Sequence, residues 1–207
     1  MVADVRVVLA SGSPGRLALL RRAGIEPTVL VPGVDEDAIT APSPVDLVAA
    51  LARAKGEAAL AEVGSRDDSV VIACDSMLLL NGQLQGKPKT PDAARELWRV
   101  MRGHRGELLT GHHVSVVKGG EVHTKERVAR TVVQFAEVTD AEIDAYVATG
   151  EPLQVAGGFT IDGRGGAFIE RIEGDHLNVV GLSLPLLRRM VTALRVSWPT
   201  LWSDAAP

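Results

Sequence analysis

The sequence predicts an α/β fold, a mixed sheet flanked by helices, and three observations predict it. Val-rich apolar runs of strand length are interspersed with segments of helical period. The order of these runs implies both crossover and hairpin connections, which a mixed sheet accommodates. No intervening stretch is long or polar enough to separate two stable domains. The 207 residues therefore read as one domain, 1–207, of two lobes around a cleft.

The elements follow in order along the chain. Val5 to Ala10 reads as a strand buried on both faces. Ser13 is a helix cap and Pro14 a first-turn proline, Leu17, Leu19, Leu20 and Ala23 give the inner stripe, and Gly24 is the stop. Val29 to Val31 is a second short strand, and Ser43-Pro44 opens a helix over 44–62 with Val48, Leu51 and Ala52 facing inward. Ser69 to Leu80 is a strand running through Asp75, and Asn81-Gly82 turns it into a hairpin. A helix is expected over 91–101, then two strands, 108–117 and 121–136, joined at Gly119-Gly120. Thr139 and Glu142 form a capping box for a helix over 140–149. The five glycines between 157 and 166 are expected between two short strands. A last helix covers 184–195, and a tail begins at about 198.

Composition narrows the function. Lys and Arg total 22 against 26 for Asp and Glu, a net charge of -4, which argues against a general nucleic-acid binder. A small anionic ligand stays open, because a few local cations suffice. Cys74 is the only cysteine, so no internal disulfide forms. The N-terminus lacks the pattern of a secretory signal and no run of 18 apolar residues occurs. A cytoplasmic protein without a membrane span is expected.

Four segments could carry chemistry. In Leu9-Ala-Ser-Gly-Ser-Pro-Gly-Arg16 a strand feeds a helix through a turn of small residues, which leaves free N–H groups at the positive end of the helix dipole. Ser11 and Ser13 could hold a phosphate there, with Arg16 adding a charge; taken alone, the segment is a capped helix with an exposed arginine. Asp75 follows Val70-Val71-Ile72-Ala73, and a carboxylate in so apolar a strand is costly unless paired or bound to metal. Gly82 to Pro88 invites a P-loop reading, but its spacing fails and Pro88 stands where Ser or Thr is needed; Lys87 is still a point charge suited to phosphate. The acidic run Asp35-Glu36-Asp37 could pair with Asp75 around a hard cation, although alone it reads as a solvated loop. His112 and His113 would face opposite sides of a strand, which is poor geometry for a shared metal.

Taken together, these segments resemble the Maf family of nucleoside triphosphate pyrophosphatases, once described as septum-formation inhibitors. The resemblance runs from Leu9 to Leu187. Besides the opening segment it rests on Val34-Asp35-Glu36, Leu51-Ala-Arg-Ala-Lys55, Ala73-Cys-Asp75-Ser-Met, Gly86-Lys87-Pro88, Gly150-Glu151-Pro152, Ala156-Gly157-Gly158-Phe159, Glu173-Gly174-Asp175 and Asn178-Val-Val-Gly181-Leu182. It implies a fold similar to inosine triphosphate pyrophosphatases with a central cleft, often a homodimer, and hydrolysis of a nucleoside triphosphate to the monophosphate and pyrophosphate with Mg²⁺ or Mn²⁺. Matched position by position, Asp75 is the proton acceptor, Ser11, Ser13, Arg16, Lys55 and Lys87 contact phosphate, and Glu36 with Asp75 is associated with metal. Lys55 also falls one turn beyond Leu51, near the apolar side of its helix, where an ammonium should seek an anion.

The chain departs from the family pattern at Gly15, Val155 and Asp162 and within Arg102-Gly103-His104-Arg105-Gly106. The first two remove cations and the third adds an acid, so the base preference does not follow from the resemblance. The alternative function is a nucleotide-binding regulator of septum formation that catalyses little.

Overall fold

The computed structural model describes residues 5–64 and 68–203. Among these residues seven strands, β1 (Arg6–Leu9), β2 (Thr28–Val29), β3 (Ser69–Leu80), β4 (Gln83–Gln85), β5 (Arg105–Lys118), β6 (Glu121–Phe135) and β7 (Ile169–Gly174), form one sheet. The order is β2-β1-β3-β5-β6-β7, with β4 paired to β3 alone. β1 runs parallel to β2 and β3, whereas β3 with β4 and β6 with β7 are antiparallel, so the sheet is mixed as expected. The helices are α1 (Pro14–Arg22), α2 (Pro44–Val63), α3 (Pro91–Met101), α4 (Asp140–Ala148), α5 (His176–Val180) and α6 (Leu184–Ala193).

Capping chemistry sets the helix starts. Ser13, Ser43, Thr90 and Ser183 each accept an N–H of the first turn, and each of these helices has proline at N1 or N2. At α4, Thr139 and Glu142 satisfy one another in a full capping box. The Asn81-Gly82 turn has left-handed φ at both residues, 50° and 79°, which is the backbone that a two-residue hairpin requires.

The described residues gather into two compact units. The first takes the chain up to Asp75, then Thr110–Ala129, and from Gly181 on; the second is Ser76–Leu109 and Arg130–Val180. In the first unit, Val8 and Ala10 in and just beyond β1 and Val71 and Ala73 of β3 bury against Ala59, with Leu60 and Val63 packed on them. In the second, Leu78, Leu80, Leu108, Val133 and Phe135 from the strands bury against Trp98, Ile143 and Tyr146 from α3 and α4.

Three expectations need correction. The second strand is two residues long, Thr28–Val29. Val31, expected to end it, is 68% exposed, and Pro32 beyond it has no N–H to give a ladder. The glycine-rich stretch is not flanked by two strands. Its N-terminal side is a series of 3₁₀ turns, Glu151–Gln154 and Ala156–Gly158, and only β7 follows it. Gly157 explains part of this: its φ is +71°, and an added Cβ would stand 2.7 Å from Leu78 Cβ. The stretch from Trp198 is not a loose tail. It makes a 3₁₀ turn, buries Leu201, and returns the Ser203 amide to the Gly24 carbonyl at 2.8 Å.

Candidate active site

Asp75 stands in β3 at the boundary of the first unit, after five residues that are all fully buried. It is 6% exposed itself. A carboxylate so placed must be compensated, and the compensation comes from α2. Val48, Leu51, Ala52, Gly56 and Ala59 form the buried stripe of that helix, and Lys55 lies along it. Its side chain is 14% exposed, and its Nζ lies 2.5 Å from Asp75 Oδ1 and 3.0 Å from Glu36 Oε1. Glu36 opens a 3₁₀ turn over Glu36–Ala38 and its side chain is half exposed. One ammonium therefore gathers two carboxylates. Asp75 Oδ2 is buried and has no hydrogen-bond partner, so it is the oxygen left for a ligand or a proton.

The opening turn is built differently from the expectation. Arg16 is not an exposed first-turn side chain: it is 8% exposed. Its Nε donates to the Gly181 carbonyl at 2.8 Å, and its Nη1 donates to Ser11 Oγ at 2.9 Å and the Cys74 carbonyl at 2.8 Å. The guanidinium fork satisfies carbonyls from two distant segments, the geometry for which arginine is suited. Ser13 Oγ accepts the Arg16 amide at 3.4 Å and Ser11 Oγ accepts the Ser13 amide at 3.2 Å. Ser11 Oγ thus accepts twice, which leaves its own O–H to donate.

Ser11, Ser13 and Arg16 are thus one cluster, and Glu36, Lys55 and Asp75 another. The Cys74 carbonyl, one residue before Asp75, joins them. Lys87 belongs to the second unit, exposed just after β4. Cys74 is no nucleophile: burial pushes its thiol up to about 11, so it stays protonated.

Two histidines that the sequence offered only as a poor metal pair lie buried in β5. His112 and His113 are 1% and 3% exposed. His113 Nδ1 meets Glu126 Oε1 at 3.2 Å and its Nε2 meets Ser115 Oγ at 3.1 Å. Glu126 is also clamped by Arg53, Nε to Oε1 at 2.7 Å and Nη2 to Oε2 at 2.6 Å. Burial lowers the His113 pKa against the opposing pull of Glu126, which favours the neutral ring. The ring packs beneath α2 at Gly56, where a Cβ would stand 2.1 Å from His113 Cδ2. Two adjacent histidines inside a buried strand were the available signal, since each needs a partner there.

Comparison with known proteins places the whole chain in a family. The family model described as Maf-like protein matches residues 6–194. A nucleoside triphosphate pyrophosphatase of Cutibacterium acnes is 52% identical over 200 residues, covering 95% of this chain and 94% of the relative. One of Saccharopolyspora erythraea is 55% identical over 206 residues, covering 96% and 97%. Among solved structures, the Staphylococcus aureus Ham1 protein gives a TM-score of 0.49 at 16% identity, covering 91% of this chain and 99% of that one. That likeness is too slight to carry the fold, which rests on the sheet itself.

Proposed function

The chain belongs to the family of Maf-like proteins, and on that premise we propose that it hydrolyses nucleoside triphosphates to the monophosphate and pyrophosphate. One observation carries the chemistry: Asp75 is buried, fixed through Oδ1 by Lys55, and bare at Oδ2. A water behind the α-phosphorus gives its proton to Asp75 Oδ2 as its oxygen bonds to phosphorus. The bond from the α-phosphorus to the bridging oxygen breaks, and the electron pair leaves with pyrophosphate. Lys55 holds the carboxylate still during that transfer and places a positive charge beside it. Ser11 O–H is a donor to a phosphate oxygen. Lys87, by its match to the family's Gly-Lys-Pro corner, adds a cation to the polyphosphate.

The residues fit a divalent cation. Glu36, Asp75 and Lys55 carry formal charges that sum to one negative, which alone would repel a triphosphate. Mg²⁺ is commonly held by one or two carboxylates together with substrate phosphate and water, and Asp75 Oδ2 is an unpartnered oxygen. Glu36 would hold Mg²⁺ or Mn²⁺ directly, and Asp75 would face the ion through the water whose proton Oδ2 takes. Bound there, the ion would supply charge neutralisation for the leaving pyrophosphate.

The test is turnover of a panel of ordinary and modified nucleoside triphosphates with Mg²⁺ or Mn²⁺, with product analysis. Pyrophosphate release that stops on chelation is expected. Orthophosphate alone would make the protein a phosphatase, and no turnover by folded protein would remove the enzymatic reading in favour of a nucleotide-binding regulator.

A further inference from the structure

His112 takes part in none of the chemistry above, yet it makes two specific hydrogen bonds in the first unit. Its Nδ1 lies 3.0 Å from the Thr110 carbonyl and therefore bears the proton. Its Nε2 accepts the Ser183 amide N–H at 3.0 Å. Only the neutral Nδ1–H tautomer makes both bonds. Ser183 in turn caps α6, its Oγ accepting the Leu186 amide at 3.2 Å. Two residues earlier, at φ 121°, Gly181 offers the carbonyl that receives Arg16 Nε at 2.8 Å. The same guanidinium grips the carbonyl of Cys74, the residue before Asp75.

We infer that His112 is a positioning residue for Asp75, acting through the 181–183 turn and Arg16. The inference rests on the reading of Asp75 as proton acceptor. The Cys74 carbonyl belongs to the peptide plane that leads into Asp75, so Arg16 fixes the origin of that side chain while Lys55 fixes its end. Both ends must be held for Oδ2 to keep its aim. Arg16 needs a fixed Gly181 carbonyl, and the turn offering it is tied to β5 by the His112–Ser183 bond. Without His112 the Ser183 N–H is a buried donor that has lost its acceptor, and the turn shifts to find another. Displacements of about 1 Å at a reacting group cost on the order of a hundredfold in rate.

The experiment compares His112→Leu, His112→Gln and Ser183→Ala in the full chain, reading kcat, KM, melting temperature and amide hydrogen exchange. His112→Leu should lower kcat about tenfold or more with KM nearly unchanged, and should speed exchange at Cys74 and Asp75. Glutamine offers an oxygen near the place of Nε2 and should restore most of both. Ser183→Ala removes the α6 cap but keeps the amide that His112 accepts, so it should lower the melting temperature without either effect. The inference fails if His112→Leu leaves kcat intact, or if Ser183→Ala costs as much kcat at equal loss of stability. If the parent protein releases no pyrophosphate, the proposed reaction fails instead, and exchange at Cys74 and Asp75 still decides whether His112 holds them.

Discussion

The two compact units solve the problem of burial in different ways. The first buries aliphatic side chains, Leu9, Leu20, Ile25, Leu51 and Ile72 among the largest, and with them the polar Arg16, Asp75, His112, His113 and Ser115. The second contains all three phenylalanines and the single tyrosine of the chain, packed round Trp98. Trp98 stands edge-on to Phe135, Tyr146 and Phe168 with centroids 5.9, 5.4 and 5.6 Å away, and its indole N–H donates to the Gly158 carbonyl at 2.9 Å. Aromatic burial gives a large, non-directional stabilisation that needs few exact contacts. Buried ions and imidazoles stabilise only while every partner is in place. The unit that carries Asp75 therefore adds oriented polar contacts to an aliphatic core, where the second relies on aromatic packing.

A polar cluster in the second unit orders backbone. Glu151 Oε1 accepts from Tyr146 O–H at 3.0 Å, from Thr160 O–H at 2.5 Å and from the Gly165 amide at 3.0 Å, while Oε2 accepts the Arg164 amide at 3.2 Å. This carboxylate gathers the glycine-rich stretch into its turns.

The comparison is best broken at Asp75. Asp75→Asn should cut turnover by about 10²–10⁴-fold, the range for loss of a general base, and leave the melting temperature nearly intact. A large drop in stability with activity retained would reverse the assignment. In the second unit, Trp98→Ala should cost about 3–5 kcal/mol in denaturant unfolding, since it empties the centre of the aromatic cluster. Arg16→Ala should do both kinds of harm. It leaves the Gly181 and Cys74 carbonyls without their donor, at about 1–3 kcal/mol per buried group, and it frees the peptide before Asp75. An exposed arginine would have affected turnover alone, so parallel losses of stability and kcat distinguish the brace from a pure phosphate contact.

The smallest effect lies in pH. Burial keeps the His113 pKa below its ordinary 6.5, so the unfolded chain binds that proton first as pH falls. The stability contributed by neutral His113 is present above about 6.5 and is lost as pH falls through the lower folded value. His113→Gln should flatten the decline of melting temperature between pH 7 and 5; an unchanged slope would remove His113 from the account. Below the ordinary 4.5 both units lose a carboxylate whose pKa is lowered. Glu126 is lowered chiefly by Arg53, and Glu151 by Thr160 and backbone amides against the cost of burial. The window above 4.5 is thus the one that separates the two regions.

Much of the fold was legible because its signals are short-range. Ser13-Pro14, Ser43-Pro44, the Thr139–Glu142 box and Asn81-Gly82 each encode a cap or a turn within four residues, and each appears where expected. Lys55 was legible as a cation on an apolar helix stripe. The glycine-rich stretch was not, because Glu151 and the contact of Gly157 with Leu78 decide its shape from outside it.

By itself the sequence determined which residue types were available: an acid in an apolar strand, cations at set spacings, and capped helices to carry them. Which of those charges are bound to each other was decided only by the tertiary structure. Arg16 reaches Gly181 across 165 positions of chain and Cys74 across 58, and Lys55 reaches Asp75 across 20. Hydrogen bonds over such separations depend on packing that no local pattern records. In Leu9 to Arg16 the turn and its cap could be read from the residues, but the burial of the arginine could not.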